Sequence, residues 1–260
     1  MKLYHDPDNT QVQLSASALD YFFTCPGKLL MSSSYEPITM AQPLLDGIHT
    51  HRMLAGESVP EASEAAVGYY ESLFDLSVTY GIEVYHKEVE QTFEIDDGLW
   101  YKRIIDGIGS WQGLPVLIDW KTSAKGPWPY FRGADRRKIV PKGLTFQAVS
   151  YLIPPPDKEL ERLGMQTWPE QILFLVSDAF GHGDMVAYHR DPDMERNFYN
   201  ACHLAAFAIQ SNNLPFNFGN ACGVPGAPWS CQFIEACYDV PGWEEKFNEV
   251  GGSNGHHRRD

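Results

Sequence analysis

The segment from residue 101 to residue 122, YKRIIDGIGSWQGLPVLIDWKT, limits the possible folds more than any other part of the chain. It predicts two strands joined by a tight turn, because a polar residue followed by glycine separates two runs rich in β-branched residues. The first strand contains Asp106, and the second ends in Asp119 and Lys121. Both aspartates have apolar neighbours, where a charged carboxylate is costly unless it is paired or binds a cation.

Asp119 and Lys121 are two residues apart, so in a strand their side chains point to the same face. Together with Asp106 on the adjacent strand, they could hold Mg²⁺ and place a water molecule against a phosphate. Alternatively, Asp119 and Lys121 form an ion pair that only closes the hairpin. This segment alone leaves both interpretations open.

The composition indicates a globular protein, because 43% of the 260 residues are hydrophobic and 13% are aromatic. No apolar run approaches the roughly 18 residues of a membrane span, and residues 1–13 lack the apolar core of a signal peptide. We therefore expect a cytoplasmic protein. The net charge of −14 argues against non-specific coating of nucleic acid, but it permits an enzyme whose basic residues form one patch.

The order of the expected elements predicts an α/β fold with a mixed central sheet flanked by helices. Ser15 is expected to cap the first helix and Pro60 to begin the third. The expected helices cover residues 15–23, 44–54, 60–80, 145–152 and 194–211. Besides the hairpin, the expected strands cover residues 87–95, 171–176 and 185–189. We expect residues 1–250 to form a single domain and residues 251–260 to be a disordered tail.

The cysteines suggest a metal site. Cys222, Cys231 and Cys237 lie in a short Pro- and Gly-containing tail, and Cys25 lies at a helix end. In a reducing compartment such thiols point to zinc or an iron–sulfur cluster before disulfides, and both take four ligands. Cys202 lies in an apolar helix and is expected to be a buried thiol. Alternatively, the tail cysteines are unrelated to one another.

Two histidines, His49 and His51, lie in the second expected helix. A His-x-His pair on a strand could serve a metal-dependent hydrolase of small molecules. On a helix the two side chains point about 200° apart, so only one of them can face a site. Gln147 and Tyr151 are four residues apart in the helix at 145–152 and therefore share a face.

A loop between the hairpin and that helix combines basic and aromatic side chains. Such side chains can bind phosphates and stack on unpaired bases, although the loop could equally be a solvated surface segment. The residues concerned are Trp128, Tyr130, Arg132, Arg136, Arg137, Lys138 and Lys142.

In this order, the motifs resemble those of the PD-(D/E)XK nuclease superfamily, in particular its RecB-like branch with the iron–sulfur CRISPR-associated and AddB-type exonucleases. The resemblance extends over most of the chain. The matching motifs are the helix that ends at Cys25-Pro26, Gly47-x-x-x-His51, Asp106-Gly107, Ile118-Asp119-Trp120-Lys121-Thr122, Gln147-x-x-x-Tyr151 and the three tail cysteines.

The resemblance implies a restriction-endonuclease-like core and a metal-dependent DNA nuclease, with exonuclease activity expected. By this resemblance, His51, Asp106, Asp119 and the Trp120 carbonyl hold one or two Mg²⁺ or Mn²⁺ ions. Lys121 then orients the attacking water or neutralises charge on the phosphate. DNA ends or single strands are the implied substrate, with recombination or replication proteins as possible partners, in a phage or its host cytoplasm.

The resemblance also assigns the remaining motifs. Gln147 and Tyr151 are implied to steady the site and the DNA strand. Cys25, Cys222, Cys231 and Cys237 are implied to carry a four-iron, four-sulfur cluster, with zinc as the alternative. The family often has an acidic residue one turn after the histidine, where this chain has Ala55. A DNA-binding protein of the same fold without catalysis is the other alternative.

Overall fold

The computed structural model describes residues 11–37, 41–124, 145–211, 213–214 and 231–249. These residues form two compact units that alternate along the chain. The first unit contains the described residues among 1–40, 94–101 and 199–260, and the second those among 41–93 and 102–198. That both belong to a single domain stays a prediction.

The helices and strands are numbered here in chain order. The helices are α1 (Ala16–Thr24), α2 (Pro26–Ser34), α3 (Gln42–Ala55), α4 (Glu64–Thr79), α5 (Thr145–Leu152), α6 (Asp157–Arg162), α7 (Pro192–Gln210) and α8 (Ile234–Cys237). The strands are β1 (Val12–Leu14), β2 (Tyr35–Pro37), β3 (Ile82–Asp96), β4 (Leu99–Trp111), β5 (Leu114–Thr122), β6 (Gln171–Ser177), β7 (Gly183–His189) and β8 (Phe247–Glu249).

In the first unit, Ser15 caps α1 as predicted. Its side chain accepts a hydrogen bond from the backbone N–H of Ala18, with a distance of 3.2 Å. Cys25 ends α1 and directly precedes α2, whose first residue is Pro26, a residue well suited to a helix start. β1 runs parallel to the first residues of β4, and β2 pairs antiparallel with β8.

In the second unit, the predicted hairpin is confirmed. β4 and β5 are antiparallel, and Gln112 and Gly113 have φ values of 53° and 78°, as a type I′ turn requires. β6 is parallel to β5 and antiparallel to β7, so the sheet is mixed. α3 contacts β5, whereas α4 and α5 contact β6. The predicted fold class, a mixed central sheet flanked by helices, is confirmed.

The core of the second unit determines which face of β5 carries charge. Val116, Ile118 and Trp120 pack with Leu54 of α3 and Leu73 of α4 in one buried cluster. Because side chains alternate along a strand, the odd-numbered residues of β5 point to the opposite face. Asp119 and Lys121 are therefore directed away from this cluster.

The start of α4 differs from the sequence prediction. Pro60 lies in a turn, and the helix begins after Ser63, whose side chain accepts a hydrogen bond from the backbone N–H of Ala66 at 3.1 Å. A serine cap satisfies one of the free N–H groups of the first turn, so Ser63 determines the helix start.

Gly109 of β4 lies against the backbone of β3. A Cβ atom at Gly109 would lie 2.0 Å from the carbonyl oxygen of Glu83, and that backbone cannot move without disturbing the strand pair. We predict that Gly109→Ala lowers the free energy of unfolding by about 1 to 3 kcal/mol, measured by urea denaturation. In the control Gly47→Ala, the nearest atom would be 3.4 Å away, and stability should not fall. Equal stability of Gly109→Ala and the parent protein would contradict this packing.

Candidate metal centre and its hydrogen bonds

Three elements of the second unit bring the predicted catalytic side chains together. His51 comes from α3, Asp106 from β4, and Asp119 and Lys121 from the end of β5. Gly107 of β4 pairs with Ile118 of β5. Asp106 directly precedes Gly107, and Asp119 directly follows Ile118, so both aspartates lie next to the same pair of residues. The hairpin therefore places both carboxylates at the same end of the sheet.

Asp106 is a buried carboxylate with two close partners. Its Oδ2 accepts a hydrogen bond from the Trp120 backbone N–H at 2.9 Å and lies 3.5 Å from His51 Nδ1. Burial alone would raise the pKa of Asp106, but the neighbouring His51, followed by Lys121 and the Trp120 N–H, lowers it below its usual range. The carboxylate is thus held in its charged, metal-binding form.

His51 is affected in the opposite direction. Burial alone would lower its pKa, but the Asp106 carboxylate outweighs burial and raises it above the usual value. In the metal-free protein, the Asp106 carboxylate thus favours the charged form of His51, and the two side chains form an ion pair below the raised pKa of the histidine.

Asp119 and Lys121 form the ion pair that was considered above as the alternative to a metal site. Lys121 Nζ lies 2.9 Å from Oδ1 and 2.8 Å from Oδ2 of Asp119, which is completely buried. Burial, with a smaller contribution from Asp106, raises the pKa of Asp119 to about 6 despite the attraction of Lys121. The ion pair exists, but it lies beside Asp106 and does not exclude a metal.

Gln147 and Tyr151 of α5 reach the same place. The Gln147 side-chain amide donates to Asp119 Oδ1 and to the Tyr151 hydroxyl, both at 2.8 Å. The Tyr151 hydroxyl in turn donates to the backbone carbonyl of Ile104 on β4. The predicted pair of residues on one helix face therefore connects α5 to both strands of the hairpin.

Glu88 is a site residue that the motif analysis missed. It lies in β3 with a φ of 51°, a conformation that side-chain-bearing residues rarely adopt in a strand and that indicates a bulge. A ligand atom of Glu88 lies within 4.8 Å of those of His51 and Asp106. Burial and the nearby Asp106 carboxylate raise the pKa of Glu88.

The sequence does contain a signal for this bulge. In β3 the apolar residues occupy even positions at Ile82 and Val84 and odd positions at Val89 and Phe93. In the structure, the alternation of buried and exposed residues along β3 shifts at the same place, because the consecutive residues Lys87 and Glu88 are both exposed. One inserted residue turns the later side chains to the other face and directs Glu88 towards Asp106.

A cavity of about 410 Å³ in the second unit contains this cluster. Its lining includes His51, Glu88 and Asp106, together with the apolar residues Leu44 and Ile48 of α3. Imidazole and carboxylate groups are ligands for Mn²⁺, and carboxylate oxygens are also ligands for Mg²⁺. The charged residues of the cavity therefore provide the donor set of a divalent-cation site.

His49 does not join this site. It is buried on α3, and its Nδ1 has no hydrogen-bond partner within the described part of the chain. Because residues Gln42–Ala55 are helical, the strand arrangement that a His-x-His hydrolase would need is not formed. The structure thus contradicts this alternative.

The predicted cluster and the DNA-binding loop stay largely untested. Cys222 and all seven loop residues, Trp128 to Lys142, lie outside the described residues. Cys25 is buried, and Cys231 and Cys237 are partly exposed. Among the described residues, only His51, Glu88 and Asp106 bring three His, Cys, Asp or Glu ligand atoms within 4.8 Å of one another.

The remaining cysteine follows the prediction. Cys202 is buried in α7, and burial raises the pKa of its thiol to about 12.

No helix within the described ranges is long and apolar enough to span a bilayer.

Comparison with known proteins gives partial likenesses of fold. No protein-family model matches the chain, and no curated protein matches it. A solved structure of a candidate exonuclease from Eubacterium rectale has 13% identity and a TM-score of 0.49, covering 90% of this chain and 89% of its own. An alkaline exonuclease from Laribacter hongkongensis has 12% identity and a TM-score of 0.34, covering 78% of this chain and 89% of its own.

Another structure of the Laribacter enzyme, in complex with dAMP, has 13% identity and a TM-score of 0.34, with 77% of this chain and 89% of its own covered. Both proteins are named as exonucleases.

The pair of His51 and Asp106 should make stability depend on pH. The raised pKa of His51 adds stability at pH values below its unfolded pKa of about 6.5, and this stability is lost as the pH rises through the folded pKa. The lowered pKa of Asp106 adds stability above about 3.9, which is lost as the pH falls through the folded pKa.

We predict that His51→Gln destabilises the metal-free protein by about 1 to 3 kcal/mol at pH 6 and by clearly less at pH 9. Urea denaturation at both pH values measures the difference. His189→Gln, which changes an exposed histidine, is the control and should have little effect. A His51→Gln effect of the same size at both pH values would contradict the assigned ion pair.

Proposed function

We propose that this protein is a metal-dependent nuclease of the PD-(D/E)XK superfamily that hydrolyses phosphodiester bonds in DNA. The observation that carries the proposal is the convergence of His51, Asp106, Asp119 and Lys121 from three elements. Burial of two carboxylates beside one another is costly, and a divalent cation offsets that cost more fully than the side chains alone.

The ligands of the proposed ion are His51, Asp106 and Asp119, joined by Glu88 and the Trp120 carbonyl. Oxygen and imidazole donors suit Mg²⁺ or Mn²⁺, and the donor set at the cavity wall fits this choice. Such an ion, when bound, polarises a phosphate and lowers the pKa of a water molecule.

Lys121 is the group that we assign to the phosphate. Its side chain is 19% exposed, and the ion pair with Asp119 fixes its position. A held cation stabilises negative charge that develops on the phosphoryl oxygens in the transition state. Gln147 orients the Asp119 carboxylate through the hydrogen bond described above.

DNA is the proposed substrate, with ends or single strands as the preferred form. The cavity is large enough for part of a nucleotide beside the ligand cluster, and the apolar side chains of Leu44 and Ile48 offer contact to a base. The basic and aromatic loop residues at 128–142 are proposed to bind the DNA strand.

We predict that Asp119→Asn and Lys121→Met each lower the rate of DNA cleavage by at least about a thousandfold, while both variants remain folded by circular dichroism. The matched control is Lys102→Met, since Lys102 lies on β4 in an exposed ion pair with Glu90. Cleavage is measured with end-labelled linear and circular DNA in Mg²⁺ or Mn²⁺, and EDTA should abolish it.

Loss of label from linear DNA with circular DNA left intact would identify an exonuclease, and cutting of the circle an endonuclease. Parental rates in either site variant would overturn the assigned centre. Retained activity in EDTA would overturn metal dependence.

The cysteines form a separate part of the proposal. Cys25 ends α1, and Cys231 and Cys237 belong to the same compact unit of the chain as that helix. This unit therefore holds three of the four proposed ligands of a metal or iron–sulfur cluster, with Cys222 as the fourth.

We predict that protein purified without oxygen contains iron or zinc, and that Cys231→Ser removes it, because the site loses one thiolate of four. Elemental analysis and the visible absorption spectrum measure the content. Cys202→Ala is the control and should retain the metal. A wild-type chain with neither element would contradict the cluster.

A further inference from the structure

The carboxyl end of α5 has an unusual hydrogen-bonding problem. Ser150, Tyr151 and Leu152 have carbonyl groups that a continuing helix would satisfy through the N–H groups of residues 154–156. All three of those residues are proline and have no N–H group. The end of the helix therefore needs donors from elsewhere in the fold.

Arg103 of β4 provides these donors. Arg103 is 3% exposed, and its Nη1 donates to the carbonyl oxygens of Ser150, of Tyr151 at 3.3 Å and of Ile153 at 2.8 Å. Trp168 contributes its indole N–H to the same Tyr151 carbonyl at 2.8 Å. A positive charge at a helix carboxyl end is also favourable because of the helix dipole.

The guanidinium group is itself fixed from several sides. Its Nε donates to the side-chain oxygen of Gln91 at 2.7 Å. Its central carbon lies 4.9 Å from the ring centre of Phe93 and 5.1 Å from that of Trp168. A planar fork held between two rings directs its N–H groups more rigidly than a flexible ammonium would.

The helix that Arg103 holds is the one that enters the candidate site. Tyr151, whose main-chain carbonyl accepts from Arg103, donates its hydroxyl to the carbonyl of the next residue of β4, Ile104. Gln147, one turn earlier, donates to Asp119. Arg103 thus holds the main chain of Tyr151, and the next residue of β4, Ile104, holds its side chain. Because Gln147 lies on the same helix, these contacts also fix the position of Gln147.

We propose that Arg103 is a positioning residue of the nuclease site, which anchors the carboxyl end of α5 so that Gln147 keeps its hydrogen bond to Asp119. Arg103 touches no substrate atom in this proposal. Its effect on cleavage passes through Gln147. The inference rests on the proposed nuclease function, but the anchoring itself can be tested without DNA.

The first experiment measures anchoring by amide hydrogen exchange in the absence of metal and DNA. In Arg103→Met, the amides of residues 149–153 should exchange at least about tenfold faster, while those of β6 exchange at the parental rate. Arg162→Met, which removes an exposed arginine paired with Glu159 on α6, is the matched control and should leave α5 unchanged. Unchanged exchange in α5 of Arg103→Met would overturn the proposal.

The second experiment measures steady-state cleavage of end-labelled DNA. Arg103→Met should lower kcat by about tenfold to a hundredfold, as expected for a displaced catalytic group, with KM within about twofold. Arg103→Lys should fall between this variant and the parent. Gln147→Ala should show a similar loss, and the double variant should be no slower than the slower single variant.

Losses that multiply in the double variant would show that Arg103 acts independently of Gln147 and would overturn the positioning role. Should Arg103→Met fail to fold, Arg103→Lys and Trp168→Phe carry both measurements, because Trp168→Phe removes only one donor to the Tyr151 carbonyl. If the wild-type chain cleaves no DNA, the proposed function fails, and hydrogen exchange still decides whether Arg103 anchors α5.

Discussion

Two carboxylates, Asp106 and Asp119, are buried at one end of the sheet, and this constraint determines much of the second unit. A buried charge is tolerated only when it is paired and hydrogen-bonded. Asp106 is compensated by His51 and the Trp120 N–H, and Asp119 by Lys121 and Gln147. These partners come from α3, β5 and α5. The three elements must therefore pack where their side chains can compensate the two buried charges at the end of the hairpin.

The compensation is incomplete in a way that favours a cation. One carboxyl group has a lowered pKa and the other a raised pKa of about 6, which is the behaviour of two acids that share one small region. A divalent ion would lower the pKa of both carboxyl groups. The bulge in β3 directs Glu88 to the same region. This third carboxylate adds negative charge that a bound cation would also offset.

The sequence predicts the part of the site that depends on local spacing. Asp119 and Lys121 share a face because strand side chains alternate, and His51 shares no face with His49 because the segment is helical. Glu88 could be found only through the change from even to odd apolar positions in β3. Arg103 gives no such signal, since an arginine in a strand ordinarily reaches solvent, and only the tertiary contact with the proline-terminated helix explains its burial. The start of α4 was missed because a serine cap competed with a proline.

The central claim is that a single divalent ion binds where the imidazole of α3 meets the carboxylates of the hairpin. Anomalous diffraction from crystals soaked in Mn²⁺ tests this most directly, since it locates the ion without any assay of activity. The account predicts a strong peak about 2.0 to 2.4 Å from ligand atoms of His51 and Asp106. A Mn²⁺ peak bound only elsewhere on the protein, with the His51 and Asp106 side chains still paired to each other, would contradict it.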